Sequence, residues 1–294
     1  MTYFKLLLTA IFWGGTFIAG KWISKTVDPY SAAFLRFFIA SFSLIFLTLK
    51  IEGRLPKIAP DKIWLIILLG FTGIFSYNLF FFSGLGHIQA NRASLIIAGN
   101  PIFIALGAAV FFKEKFNVLK ISGLFLSVTG ALVVISKGHL SSMLALGIGK
   151  GELLIFGCVV SWAAYSLLGK KAMKDLSPIA CVCYSSIAGT ILLFFPAFYK
   201  GVFLNMASYT GVDWASLFYL GFFGTVLGFF WYYEGIKEIG PMKAGIFINF
   251  VPISAIVMSF FILQEPVTPS LIIGAILIIT GVYLTNTAIK KKTG

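Results

Sequence analysis

The sequence predicts an all-α integral membrane protein with ten transmembrane helices arranged as two inverted five-helix repeats. Three observations carry that prediction. Of the 294 residues, 59% are apolar and 11% charged, against about 25% charged in a soluble domain, and the mean hydropathy is +0.97. A water-soluble core at this chain length could not hide so much apolar surface. The apolar residues also fall into runs long enough to cross a bilayer, which takes roughly 20 residues per helix. Finally, the stretch from Leu69 to Val133 recurs without a gap from Leu220 onward. Adding 151 carries Gly70 to Gly221, Gly84 to Gly235, Pro101 to Pro252, Glu114 to Glu265 and Gly130 to Gly281. Sparse Gly, Pro and Glu do not pair over such a length by chance, so the chain is an internal duplication.

The ten runs cover about 4–23, 31–49, 63–85, 92–112, 118–136, 151–169, 177–198, 214–236, 243–263 and 269–289. The first contains Trp13, Gly14 and Gly15, ends in Lys21 and Lys25, and lacks a small-residue cleavage pattern, so it reads as a retained helix and not a signal peptide. The second carries Arg36 near its start, where the side chain can snorkel outward or meet a ligand. The fourth and ninth each contain a proline that removes a backbone donor and bends the helix. The longest loops, 51–62 and 137–150, are too short for a soluble domain.

The first helices repeat at a slightly different offset. Adding 149 carries Trp13 to Trp162, Lys21 to Lys170 and Pro29 to Pro178. Each unit therefore holds five helices, over 1–140 and 150–290. An odd number obliges the second unit to enter the membrane from the opposite side. That is the ground plan of secondary transporters, whose ligand site lies between the halves near mid-membrane. Basic residues concentrate on the side of the N-terminus, as at Lys50, Arg54, Lys57 and Lys62, at Lys113, Lys115 and Lys120, and at Lys290, Lys291 and Lys292. This places both termini in the cytoplasm of a cytoplasmic (inner) membrane.

The net charge of +13 raises the question of nucleic acid. The basic residues edge apolar runs and form no patch with interleaved aromatics, so no nucleic acid is expected. Cys158, Cys181 and Cys183 lie in apolar runs at spacings that suit neither a zinc site nor a disulfide framework. No phosphate-binding glycine loop, His/Cys cluster or pair of mid-membrane carboxylates is present. No cofactor, metal or catalytic residue is expected, and the protein is not expected to be an enzyme. Coupling to a proton gradient stays open. The expected partners are the bilayer and a small-molecule substrate, with the protein a monomer or weak homodimer.

The two copies read RASLIIAGNPIFIALGAAVFFKEK with ISGLFLSVTGALVV, and KAGIFINFVPISAIVMSFFILQEP with IIGAILIITGVYL. Each has a small-residue helix start, a mid-helix proline, an acidic residue after an apolar run, and a glycine-punctuated helix. In this they resemble the second half of an EamA repeat of the drug/metabolite transporter superfamily. FWGGTFIAGKWI and FLRFFIA resemble that family's first two helices. The resemblance implies a carrier with a central cavity lined mainly by helices 1, 3, 4, 6, 8 and 9. It also implies transport of amino acids, nucleotide sugars, phosphorylated sugars or other small metabolites, and it favours export. Few charges and several aromatics point to an amino acid or similar amphipathic solute, because a phosphorylated one would want several mid-membrane cations. A lipid-linked or nucleotide-sugar/phosphate-type translocator of the same fold, a channel, and a membrane-embedded transferase are the alternatives.

The candidate cavity residues follow from these patterns. On helix 4, Asn91 and Ser94 share a face with Ala98 and Pro101, and Asn249 and Pro252 are counterparts on helix 9. Such a stripe faces away from lipid, toward a cavity or a packed neighbour. Pro101 and Pro252 are expected helix bends, either gating hinges or static. Asn100, opposite the stripe, is expected to pack against a neighbouring helix. Trp13 and Thr16 on helix 1, Tyr77 and Asn78 on helix 3, Trp162 and Tyr165 on helix 6, and Tyr232 on helix 8 suit a cavity for an organic group. Interface anchoring is the competing reading, chiefly for 231–233. Glu234 reads as an interface group or a proton-coupling carboxylate. Glu114 and Glu265 read as interface or loop-locking groups, with nearby lysines as candidate partners.

Overall fold

The computed structural model describes residues 1–112, 118–135, 149–239, 244–245 and 247–290. Among these residues all regular structure is helical. We number the main segments α1 (Thr2–Ile23), α2 (Pro29–Glu52), α3 (Pro60–His87), α4 (Ala90–Ile97), α5 (Asn100–Phe112), α6 (Val118–Ile135), α7 (Lys150–Ala172), α8 (Pro178–Tyr199), α9 (Gly211–Ile239), α10 (Phe250–Leu263) and α11 (Pro269–Lys290). Six of them, α1, α2, α3, α7, α8 and α9, are long and apolar enough to cross a membrane. Ile121–Gly130, α10 and Pro269–Gly281 are shorter apolar helices.

The outward faces identify the solvent. On α2, Phe38, Phe42 and Phe46 recur every four residues and are 46%, 67% and 69% exposed. Phe195 and Phe198 on α8 are exposed as well. Such stripes would be an aggregation hazard in water and are at home in lipid. Inside, polar side chains are buried, among them Arg36, Asn78, Asn100 and Thr225. The molecule is a multi-helix membrane protein.

Helix starts repeat between the halves. Asp28 caps α2 by accepting from the Tyr30 and Ser31 amides at 3.0 and 3.3 Å, with Pro29 in the first turn. Its counterpart Ser177 caps α8 by accepting from the Ala180 amide, with Pro178 in the first turn. In both cases the cap satisfies amides that lack an intrahelical partner.

The duplicated stretch sets two irregularities. First, α3 and α9 each contain a wider π-helical segment, at Gly70–Ser76 and Tyr219–Leu227. Gly70 and Gly221 stand at equivalent places there. A Cβ on Gly70 would lie 2.7 Å from the Gly189 backbone nitrogen, and one on Gly221 would lie 2.9 Å from the Arg36 carbonyl oxygen. Only glycine permits these two backbone approaches, a common device between membrane helices. Second, the run expected to be one helix over 92–112 is two. α4 ends at Ile97 and α5 restarts at Asn100, one residue before Pro101. Likewise a 3-10 turn at Phe247–Asn249 precedes α10, with Pro252 in its first turn. Proline lacks an amide hydrogen and clashes with the carbonyl four residues back, so it sits in the first turn of a new segment.

Contacts between the halves are interchangeable. α1 packs on α9 and α10, while α7 packs on α3 and on α4 and α5. α2 packs on α8, and α6 on α11. The π-helical part of α9 lies on α2, and that of α3 on α8. Exchanging the two copies maps each contact onto another or onto itself.

Candidate substrate cavity

A cavity lies where α1, α3, α4, α5, α7, α9 and the start of α10 converge, with one residue added from α2. Its lining includes Trp13, Thr16 and Phe17 of α1, Tyr77 and Phe81 of α3, Trp162 of α7 and Phe229 of α9. Ile97, Asn100, Ile248 and Val251 close another wall, and Arg36 enters from α2. The unfilled space is about 430 Å³, but only about 30 Å³ admits the centre of a water molecule. A water needs roughly 10–15 Å³ on that measure. The site is thus narrow, with room for about two waters, and an organic solute requires the walls to part.

The walls are chiefly aromatic. The Trp13 and Trp162 rings, equivalent in the two copies, meet edge to face at 5.3 Å. Trp162 also packs against Phe229 at 5.0 Å and Tyr77 at 5.4 Å. Such pairs add about 0.5–1.5 kcal/mol each beyond burial. The Trp13 indole N–H donates to the Gly224 carbonyl at 2.9 Å, and the Thr16 hydroxyl donates to the Trp13 carbonyl at 2.6 Å. Among the described residues the buried Trp162 indole nitrogen, Tyr232 hydroxyl and Ser166 hydroxyl make no hydrogen bond of normal geometry.

Of the residues expected at the site, Trp13, Thr16, Tyr77 and Trp162 line the cavity. Asn78, Tyr165 and Tyr232 are buried behind that lining. Asn78 accepts from Arg36, Tyr165 shares a hydrogen bond with Ser185 at 3.0 Å, and Tyr232 packs on Trp13 at 5.1 Å. Asn91 and Ser94 lie apart from the cavity lining. The Asn91 side chain donates to the Pro266 carbonyl at 3.3 Å, and the Ser94 hydroxyl donates to the Asn91 carbonyl at 2.7 Å. Pro252 is buried in the first turn of α10. The side chains of Asn249 and Pro101 lie outside the described residues, as do Glu114 and Met242.

Three expectations are corrected. Arg36 does not snorkel. It is the eighth residue of α2 and 3% exposed. Its Nη1 donates to Asn78 Oδ1 at 2.9 Å and its Nε to Thr225 Oγ1 at 3.0 Å. Asn100 is a wall residue whose buried Oδ1 has no hydrogen-bond partner among the described residues. Among the described residues Glu265 forms no ion pair with a lysine. Its carboxylate accepts from the Ala90 and Asn91 amides at 2.9 and 3.0 Å, capping α4 from across the bundle. Near the same end, the Lys21 ammonium donates to the Leu85 and Ile88 carbonyls, both at 2.7 Å, and Arg92 pairs with Glu152 at 3.0 Å. Glu234 forms an ion pair with Lys5 at 2.8 Å.

Arg36 and Thr225 were legible only in part. Arg36 is a charge within an apolar run, but its counterpart is Ser185, and Thr225 faces Ile74 across the duplication. The repeat pattern therefore hides both.

The EamA-like transporter family model matches residues 1–136 and again 149–287. The chain belongs to the EamA-like transporter family. This EamA protein is 31% identical over 288 residues to the uncharacterized transporter YyaM of Bacillus subtilis, covering 98% of this chain and 94% of that one. It is 29% identical over 287 residues to a probable terminal-alkyne amino-acid exporter of Streptantibioticus cattleyicolor, covering 96% and 92%. A solved crystal structure shares its fold, with a TM-score of 0.68 at 18% identity over 95% of this chain and 96% of the other.

Proposed function

We propose that this EamA protein is a secondary carrier that moves a small amphipathic metabolite of the amino-acid type outward across the cytoplasmic membrane. In this reading the chain makes ten crossings, in units 1–140 and 150–290 of opposite sense, with both termini cytoplasmic. The interchangeable contacts between the halves support that arrangement, because two similar units can rock and expose one site to either side. The observation that carries the function is the narrow cavity between the copies, with Trp13 and Trp162 in edge-to-face contact and polar groups on its wall. Aromatic faces suit an apolar side chain, and the polar groups suit its charged end. The amino-acid exporter among the relatives supports both the substrate class and the direction.

In this reading the carrier needs no cofactor and is a monomer or weak homodimer. Nucleotide sugars and sugar phosphates fit less well, since Arg36 is the one cation lining the cavity among the described residues. A transferase would want an acid–base pair there.

Proteoliposomes test this directly. Vesicles preloaded with unlabelled L-amino acids should take up at least one labelled counterpart by exchange. Trp162→Ala and Asn249→Leu should each slow it by about tenfold or more at normal expression. Absence of exchange for every amino acid would overturn the substrate class, and unchanged rates in both variants would discard the cavity assignment.

A further inference from the structure

Arg36 is a full positive charge in the apolar middle of the molecule. It lies about 10 Å along α2 from Pro29. A guanidinium has five N–H donors and stays charged in proteins. Two are used, toward Asn78 and Thr225, and both acceptors are neutral. Nη2 donates to nothing among the described residues. No carboxylate reaches Arg36 there, because the buried acids are engaged elsewhere. Glu265 caps α4, Glu152 pairs with Arg92, and Asp213 accepts from Thr26 and Thr210. Buried cations are otherwise paired, since an unpaired one is expensive in low dielectric.

The surroundings are built to hold this group, not to neutralise it. Thr225 lies in the π-helical segment of α9, where its hydroxyl also donates to the Leu220 carbonyl five residues back at 3.0 Å. The Asn78 amide nitrogen donates to the Ile74 carbonyl at 2.8 Å, which turns Oδ1 toward Arg36. The fork is thus fixed from two sides. Gly224 lies beside Nη2, and a Cβ there would stand 2.6 Å from the Thr16 methyl and 3.6 Å from Nη2. Arg36 itself lines the cavity.

We infer that Arg36 is the anchor for the substrate's carboxylate, gripping two oxygens through its free N–H groups while the substrate's apolar part lies against the aromatic walls. This deepens the carrier reading and rests on it. One guanidinium balances one negative charge, so the class is a monocarboxylate or a zwitterion, not a phosphate dianion. The counterpart Ser185 is uncharged and hydrogen-bonded to Tyr165, so only one half supplies a charge and the substrate has one orientation.

The test uses purified full-length protein and matched ligands. Binding is read by tryptophan fluorescence, since Trp13 and Trp162 line the cavity, and by thermal stabilisation. The probes are the proteinogenic L-amino acids, their decarboxylated amines and their amides, such as L-phenylalanine, phenethylamine and L-phenylalaninamide. We expect at least one amino acid to bind, and its amine and amide to bind about tenfold more weakly or worse. Arg36→Gln should abolish the preference for the acid, and Arg36→Lys should restore it in part. If Arg36→Gln does not fold, the ligand pairs on the wild type and on Arg36→Lys decide. Amines binding within twofold of the acids, acid binding retained by Arg36→Gln, or no carboxylate binding at all would overturn the anchor. Exchange assays separate the two readings. A wild type that exchanges amines but no acids leaves the carrier standing without this anchor, and one that exchanges no solute removes the carrier itself.

Discussion

Asn100 holds an unpaired side-chain oxygen in an otherwise apolar wall. Leaving a buried acceptor unsatisfied costs about 1–3 kcal/mol, a cost that a binding site recovers when a ligand supplies the donor. Asn100→Leu should therefore raise the melting temperature of the empty protein and weaken amino-acid binding by about tenfold. A lower melting temperature with unchanged binding would assign Asn100 to helix packing. At this scale the sequence was informative for pairs and weak for single residues. Trp13 and Trp162 stood out because the duplication aligns them, and both line the cavity. Arg36 was ambiguous because a position near a helix start does not say which way the side chain turns. That depended on acceptors from α3 and α9, which lie 42 and 189 residues away. A continuous helix over 92–112 turns Asn100 away from the Asn91 and Ser94 face, but the helix ends at Ile97 and restarts at Asn100.

Among the elements, α4 depends on a residue from the other copy. Glu265 accepts from the first two amides of α4, where a carboxylate also meets the positive end of the helix dipole. Glu265→Gln should lose about 0.5–2 kcal/mol of local stability. Hydrogen exchange at the Ala90 and Asn91 amides should speed up accordingly, with little change in α2 or α8. Unaltered exchange at those two amides would mean that the carboxylate does not hold this end closed. The sequence placed the acid at the end of an apolar run and suggested a lock, but its partners are amides 175 and 174 residues distant. Local pattern cannot name such partners. The prolines were more legible. Each was expected to disturb its helix, and each stands in the first turn after a break because its chemistry is local. The π-helical segments left no trace in hydrophobic periodicity, since a single widened turn shifts the apolar face only slightly.

At the scale of the whole molecule, two predictions follow from how the halves meet. Among the described residues no carboxylate lines the cavity. An imposed pH gradient should therefore change the initial rate of exchange in proteoliposomes by less than about twofold, a small fraction of a tenfold, 1.4 kcal/mol step. Uptake that scales with the gradient would require a protonated group at the site. The charge bias of the loops also predicts that a fluorescent protein fused at the C-terminus glows in the cytoplasm, while a periplasm-dependent phosphatase fused there stays inactive. An active phosphatase would reverse the orientation. The sequence by itself determined the solvent, the helical class, the duplication and the family, because composition, run length and a constant offset are properties of the chain alone. Contacts in three dimensions set which polar groups meet at the centre, that Arg36 turns inward with no acid beside it among the described residues, and that Glu265 caps α4. Those facts depend on partners distant in the chain, Thr225 for Arg36 and the α4 amides for Glu265, and the repeat hides the first pair because the counterparts of Arg36 and Thr225 are Ser185 and Ile74.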